Sequence, residues 1–140
     1  MTDPHGLQRF VDAQAPVYSQ VLAELRQGRK QTHWIWFVFP QLAGLGHSAM
    51  ARRFALRSRD EAVAYLTHGI LGARLNECTA LVNTIEGRSI GEILGTPDDL
   101  KFCSSMTLFA EVSSDSAFSG AIAKFCGGRR DQRTLDLLAG

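Results

Sequence analysis

The chain has 140 residues, of which 45% are hydrophobic and 21% are charged, and its formal net charge at pH 7 is +1. These values are typical of a globular protein, and we interpret residues 1–140 as a single domain. A charge this close to zero excludes the strong overall field by which basic proteins gather nucleic acids or anionic membranes, so we expect neither as a partner.

The cysteines and the N-terminal sequence both bear on the compartment. Cys78, Cys103 and Cys126 are odd in number and lack C-x-x-C spacing, which predicts three reduced thiols. The first ten residues contain neither the basic nor the apolar region of a secretory signal. No apolar run approaches the roughly 18 residues that a membrane span needs. We therefore predict a cytoplasmic protein.

The chain begins with apolar residues at steps of three and four, which is the pattern of one helix face. This stripe contains Leu7, Phe10, Val11, Tyr18, Val21, Leu22 and Leu25. Pro16 interrupts it and predicts either a kink or two helices that meet near Ala15. Gly28 is expected to end the second half, because glycine is favoured directly after a helix.

Six consecutive apolar residues follow, from Trp34 to Phe39. Their composition is typical of a buried strand, although a run this short is also compatible with a buried helical turn. No other segment resembles a strand that could pair with it, and an unpaired buried strand would leave backbone groups without hydrogen bonds. We therefore predict a short helical turn that ends at Pro40, followed by a loop over residues 41–47.

Capping residues mark the later helix starts. Ser48 is placed to cap a short helix over residues 49–56. Ser58 and Ser89 are each followed three residues later by a glutamate, which fits the capping box. Longer helical patterns cover residues 70–85, 97–112, 117–125 and 132–138. The sequence thus predicts an all-α domain of about seven or eight helices with little or no strand.

Polar and aromatic residues around the run from Trp34 to Phe39 could form a binding site. The candidates for ligand contacts here are Lys30, Trp34, Trp36, Gln41 and Ser48. Tryptophan rings can stack on a flat ligand, but they are also common in cores, where an aromatic ring buries roughly 150–250 Å². His33 could serve as an acid or base near neutral pH, or it could be a structural histidine.

A second polar set lies at the start of the helix over residues 97–112. Asp98, Lys101 and Ser105 are spaced by three and four residues and share one helix face, and Ser104 is adjacent. A lysine and hydroxyl groups near a helix N-terminus can bind an anion, while Asp98 could transfer a proton. The alternative is a helix cap with an ion pair between Asp98 and Lys101.

The sequence predicts neither a metal site nor a cofactor. Its four histidines are His5, His33, His47 and His68. They lack the H-x-x-E-H and H-E-x-x-H spacings, and no glycine-rich phosphate loop follows a strand. Arg129, Arg130 and Arg133 form a basic cluster near the C-terminus, which could bind phosphate but which we interpret as the solvated start of a helix.

Two strings of the sequence resemble a bacterial family of small helical proteins of unknown function. They are HW-x-WF-x-FPQ over residues 33–41 and DDLK-x-x-SSMTLF over residues 98–109. The resemblance covers nearly the whole chain, and it implies a mostly helical fold without an established activity. Some members carry the label "calpastatin", which does not fit this chain because calpastatin is a disordered, repeat-bearing inhibitor.

Two functional hypotheses follow. In the first, the domain binds a nucleotide-like or sugar-phosphate ligand between the segment around Trp34 and the helix that begins near Asp98, with His33 and Asp98 as the catalytic residues if it is a hydrolase. In the second, a non-enzymatic helical module binds a protein partner through an exposed aromatic patch. We expect a monomer in both cases. The first hypothesis requires His33, Trp34, Lys101 and Ser105 to line one pocket.

Overall fold

The structure, a computed structural model, describes residues 3–140. Ten helices form over these residues: α1 (Gln8–Gln14), α2 (Tyr18–Gln27), α3 (Ile35–Val38), α4 (Ala49–Arg53), α5 (Arg59–Thr67), α6 (Leu71–Thr84), α7 (Ile90–Leu94), α8 (Asp98–Val112), α9 (Ser116–Phe125) and α10 (Gln132–Ala139). The all-α prediction is confirmed. The expected count of seven or eight is too low, because the break at Pro16 produces two separate helices and because α3, α4 and α7 have only four or five residues.

The segment after α3 is held by the one strand-like pairing within residues 3–140. This pairing is an isolated parallel bridge between Leu42 and Leu56. The Ala43 amide donates to the Leu56 carbonyl at 2.7 Å, and the Leu56 amide donates to the Gln41 carbonyl at 2.9 Å. These bonds fix the backbone of Gln41 against the segment that follows α4.

Helix α8 lies at the centre of the fold, where it packs against α3, α5, α7, α9 and α10. Phe102 stacks edge-on against Phe39, with ring centroids 5.0 Å apart, and Phe109 lies between Tyr65 and Phe118. Since neighbours cover it on several sides, α8 buries small polar residues as well as apolar ones; these are Ser104, Ser105 and Thr107. The core is therefore organised around the same helix that carries the second predicted polar set.

The predicted caps are confirmed at three helix starts. The hydroxyls of Ser48, Ser58 and Ser89 each accept a hydrogen bond from a backbone amide in the first turn of α4, α5 and α7. At Ser89 the capping box is complete, because Glu92 also accepts from the Ser89 amide at 2.8 Å. The box predicted at Ser58 does not form, because the Glu61 carboxylate accepts from the Arg57 amide instead. These local hydrogen bonds define where the helices begin.

The prediction of three reduced thiols is wrong for two of them. Cys103 on α8 and Cys126 after α9 form a disulfide, with Cα atoms 5.8 Å apart. Cys78 is a free, fully buried thiol. The pairing depends on the packing of α9 against α8, which the cysteine spacing does not reveal. Within residues 3–140, none of the helices has the length and apolar character needed to cross a membrane.

Candidate functional site

The two predicted polar segments are neighbours in the structure. The Lys30 ammonium lies 2.8 Å from one carboxylate oxygen of Asp98, and the Lys101 ammonium lies 3.8 Å from the other. The Lys30 amide also donates to the Ile93 carbonyl of α7 at 2.7 Å. Asp98 is therefore held between two lysines, one from each predicted segment.

Each lysine of this cluster also lies over a tryptophan ring. The Lys30 ammonium is 5.3 Å from the centre of the Trp34 ring, and the Lys101 ammonium is 5.2 Å from the centre of the Trp36 ring. Trp34 is only 1% exposed, so its ring belongs to the core and is not accessible for stacking on a ligand. Trp36 is partly exposed, and its buried indole N–H has no hydrogen-bond partner within residues 3–140.

Trp34 is fixed by a buried carboxylate that sequence reasoning missed, that of Glu24. Its oxygens accept hydrogen bonds from the Trp34 indole, the Gln31 and Thr32 backbone amides, the Thr32 hydroxyl and the Gln20 side-chain amide. Burial opposes ionisation of Glu24, but these hydrogen bonds outweigh it and lower the pKa to about 2. Glu24 thus holds the segment that leads into α3 and serves the fold.

A cleft of about 630 Å³ opens beside the lysine cluster. Its walls come from the loop after α3, from α7, from the first half of α8, and from the turn that connects α9 to α10. Small-molecule sites in proteins usually enclose roughly 300–1,000 Å³. The cleft therefore has the volume of a site for a metabolite-sized ligand.

Positive side chains predominate in the polar lining of this cleft. Lys101, Arg129 and Arg133 line it together with Asp99 and Asp131. Within residues 3–140, neither arginine takes part in a salt bridge or a side-chain hydrogen bond. Their guanidinium groups are therefore available to an anion.

Hydrogen bonds to α8 and α10 already engage the Asp131 carboxylate. It accepts from the Thr134 amide at 3.1 Å, from the Thr134 hydroxyl at 2.6 Å and from the Ser104 hydroxyl at 3.2 Å. The Asp131 amide donates in turn to the Thr107 hydroxyl at 2.8 Å. Asp131 thus anchors the start of α10 on α8, which keeps Arg133 beside the cleft.

The rest of the lining is mostly apolar. Leu45, Ile90, Pro97, Leu100 and Phe125 contribute to it. Leu100 is 65% exposed, so its side chain is accessible from the cleft. The cleft therefore combines cationic and apolar side chains, an arrangement suited to a ligand that has both kinds of surface.

Residues 4–138 match the family described as "Protein of unknown function (DUF1810)". The chain belongs to the DUF1810 family. A crystal structure of the conserved hypothetical protein Rv1873 from Mycobacterium tuberculosis is similar to this DUF1810 chain, with 59% sequence identity, a TM-score of 0.97 and 99% of each chain covered. None of the curated proteins compared with the chain matches it. These findings confirm the resemblance to a family of unknown function.

The structure distributes the predicted site residues of the DUF1810 chain over several places. Gln41, Lys101 and Ser104 line the cleft. Lys30 and Asp98 form the ion pair beside it, and Trp36 lies against Lys101. Trp34 and Ser105 are buried in the core, His33 is exposed outside the cleft lining, and Ser48 caps α4. His33, Trp34, Lys101 and Ser105 therefore do not line one pocket.

Sequence reasoning missed the contribution of Arg129 and Arg133 to the cleft of this DUF1810 protein. The basic cluster was visible in the sequence, but its interpretation as a solvated helix start separated it from Lys101. Only Arg130 of the three arginines is engaged elsewhere, in an ion pair with Glu111. Within residues 3–140, no group of three or more His, Cys, Asp or Glu side chains could hold a metal ion.

Proposed function

We propose that the cleft binds a small anionic molecule with an apolar or flat portion, of which nucleotide-like and sugar-phosphate metabolites are the leading classes. The supporting observation is that Arg129 and Arg133, which have no ion-pair partner within residues 3–140, line the same cleft as Lys101. Guanidinium groups bind phosphate and carboxylate oxygens through paired hydrogen bonds. The anionic end of the ligand would lie against these three side chains.

The apolar part of the lining would receive the rest of the ligand. Leu45, Ile90 and Leu100 offer apolar surface, and the Gln41 side chain in the same lining can donate to and accept from polar ring atoms. Trp36 would act indirectly, since its ring supports Lys101. The ligand would therefore be selected by charge at one end and by shape at the other.

The proposal concerns binding and contains no hydrolytic step. Both carboxylate oxygens of Asp98 lie near lysine ammonium groups, and His33 is outside the cleft lining. The other hypothesis required an exposed aromatic patch. The large hydrophobic residues that are exposed within residues 3–140 are all aliphatic and lie on separate elements: Val63, Ile70, Leu100 and Leu137. We also propose that the protein acts as a monomer in the cytoplasm, where such metabolites are abundant.

The test is a binding screen on the full-length chain. Adenosine monophosphate, glucose 6-phosphate and inorganic phosphate are compared with adenosine and glucose by calorimetry and by thermal shift. A ligand that binds only the folded chain raises the free energy of unfolding by about 2.7 kcal/mol at a hundredfold excess over its Kd. We expect the phosphorylated compounds to bind and their uncharged counterparts not to bind.

Variants then locate the anionic end of the ligand. Replacing Arg129 and Arg133 with glutamine removes two charged donors, so affinity should fall at least about tenfold. The matched control is Arg130→Gln, which removes a neighbouring arginine that pairs with Glu111 and does not line the cleft. If the control loses affinity as strongly as the double variant, or if none of the phosphorylated compounds binds, the proposal is wrong.

The contribution of the apolar lining to binding is tested separately. Leu100→Ser removes an exposed aliphatic side chain and should leave stability nearly unchanged. The substitution should lower the affinity for adenosine monophosphate several-fold and leave the affinity for inorganic phosphate unchanged. Equal losses for the two ligands would show that the apolar wall takes no part in binding.

A further inference from the structure

The disulfide between Cys103 and Cys126 forms part of the wall of the cleft. Cys103 follows Lys101 on α8, and Cys126 lies between the end of α9 and Arg129. Both cysteines line the cleft and both are only partly buried. We therefore expect a small molecule in the cleft to reach the disulfide, whereas the third cysteine, Cys78, is fully buried in the core.

The charges around this disulfide favour one kind of reactant. Disulfides are opened by thiolates, and the displaced cysteine also leaves as a thiolate. Lys101, Arg129 and Arg133 line the same cleft and outnumber its two carboxylates, Asp99 and Asp131, and cations near a sulfur favour its anionic form. A thiol that also carries a carboxylate or sulfonate would be concentrated in the cleft by these side chains.

We propose that the cleft receives small anionic thiols, which undergo thiol–disulfide exchange with the Cys103–Cys126 disulfide. This inference rests on the anion-binding cleft of the proposed function, and it assigns a chemical class of reactant and a redox activity to it. Disulfides in cytoplasmic proteins are usually catalytic or redox-sensing, which agrees with an accessible disulfide in a ligand cleft.

The exchange takes place in two displacements. The incoming thiolate forms a bond to the sulfur of one cysteine, the bond between Cys103 and Cys126 breaks, and its electron pair leaves on the other sulfur. A second thiolate attacks the mixed disulfide, releases a small-molecule disulfide and leaves the second cysteine as a thiolate. The protons of the two thiols end on the two cysteines, so two thiols are oxidised while the protein disulfide is reduced.

Reduction would alter the cleft itself. The disulfide is the covalent link between α8, which carries Lys101, and the turn after α9, which carries Arg129. Once it is opened, the two cationic walls are joined only by non-covalent packing. The thiol pool of the cell would then set how tightly the cleft holds its anionic ligand.

The experiment compares three thiols that differ in charge: 2-mercaptoethanesulfonate, 2-mercaptoethanol and cysteamine. Reduction of the folded protein is followed by quenched thiol labelling and mass spectrometry, and each rate is divided by the rate of the same thiol with an uncharged small-molecule disulfide. We expect the anionic thiol to react about tenfold faster than the neutral one, and the cationic thiol to react more slowly than both. A mixed disulfide on Cys103 or Cys126 should be detected.

The preference should depend on the cations of the cleft. It should disappear in the triple variant Lys101→Met, Arg129→Gln and Arg133→Gln, and it should persist in Arg130→Gln. High salt applied to the unmodified protein should reduce the same preference through screening, a check that requires no refolding of a variant. Equal normalised rates for the three thiols would overturn the inference, as would three free thiols in the freshly denatured protein instead of one.

A double variant separates this inference from the proposed function. Cys103→Ser with Cys126→Ser cannot exchange but keeps the arginines and Lys101. If the phosphorylated ligands bind both the unmodified protein and this variant, but the unmodified protein shows no preference for the anionic thiol, the exchange inference is wrong and the proposed binding function stands. If the unmodified protein neither binds the phosphorylated ligands nor reacts faster with the anionic thiol, the proposed function and the exchange inference are both wrong.

Discussion

At the scale of single residues, the carboxylate of Glu24 decides the position of the segment that leads into α3. The side chain is 1% exposed and accepts hydrogen bonds on both oxygens. Two of the donors are backbone amides, and another is the indole of Trp34. A carboxylate can satisfy all of these donors because it only accepts hydrogen bonds.

Replacing Glu24 with glutamine should therefore destabilise the protein. One oxygen becomes an NH₂ group that faces hydrogen-bond donors, and a charge-assisted set of bonds is lost. We expect the free energy of unfolding to fall by about 2–4 kcal/mol in urea denaturation. Glu86→Gln is the matched control, since its side chain is exposed and pairs with Lys124 at the surface. Glu86→Gln should lower the free energy of unfolding by less than about 0.5 kcal/mol.

The same residue predicts a pH dependence. The pKa of Glu24 falls from 4.5 to about 2 in the folded state, so its ionisation stabilises the protein fully above pH 4.5. This stabilisation, about 3 kcal/mol, is lost as the pH falls from 4.5 towards 2. The free energy of unfolding should decline less steeply over this range in Glu24→Gln than in the unmodified protein. Parallel declines in the two proteins would show that Glu24 is not responsible.

At the scale of elements, the contact between α5 and α6 depends on Gly72. A Cβ atom at this position would lie 2.0 Å from the carbonyl oxygen of Leu66, which is far inside van der Waals contact. By contrast, Gly120 in α9 has no atom within 4 Å of an added Cβ. The two helical glycines thus offer a matched pair in which the same substitution meets opposite surroundings.

We expect Gly72→Ala to destabilise the protein by about 2 kcal/mol or more, because the two helices must move apart. Gly120→Ala should be neutral or stabilising by up to about 1 kcal/mol, since alanine is the better helix former. Thermal unfolding of both variants tests this difference. Similar destabilisation by both would mean that helix propensity, and not the approach of Leu66, determines the result.

The helices themselves follow largely from local sequence. Ser89 and Glu92 form the expected capping box, and Gly28 ends α2 in a left-handed conformation, with φ at 71°. These features depend on residues that lie within a turn of each other, so the sequence reveals them. The predicted number of helices was too low, although the turn that becomes α3 was itself predicted from the lack of a partner strand.

At the scale of the whole molecule, the disulfide joins α8 to the turn after α9 within the wall of the cleft. It closes a chain segment with a sequence separation of 23 residues. Loss of a crosslink of this span should cost about 3 kcal/mol, because the unfolded chain gains freedom. Guanidinium denaturation with and without a reductant should show this difference in the unmodified protein. The Cys103→Ser, Cys126→Ser variant should have the lower free energy of unfolding both with and without the reductant.

The cleft could be predicted only in part, because its residues come from distant segments. Lys101 and Gln41 were recognised from their local surroundings, whereas Arg129 and Arg133 reach the cleft only through the packing of α8 against α9 and α10. Trp34 was assigned a ligand role because the sequence could not show that Glu24 binds its indole. Long-range packing, which no local pattern encodes, decided these assignments.

The central position of α8 affects which parts of the fold can unfold locally and which unfold only with the whole domain. Its residues from Phe102 to Phe109 are buried against five other helices except at Cys103, so its amide hydrogens can exchange with solvent only when the whole fold is lost. The turn at Gly127 and Gly128, by contrast, is exposed and can unfold locally. We therefore expect the α8 wall of the cleft to open rarely, and the exposed turn, which the disulfide at Cys126 ties to α8, to open more often. The rates of ligand binding and release would then depend on how often the turn at Gly127 and Gly128 opens.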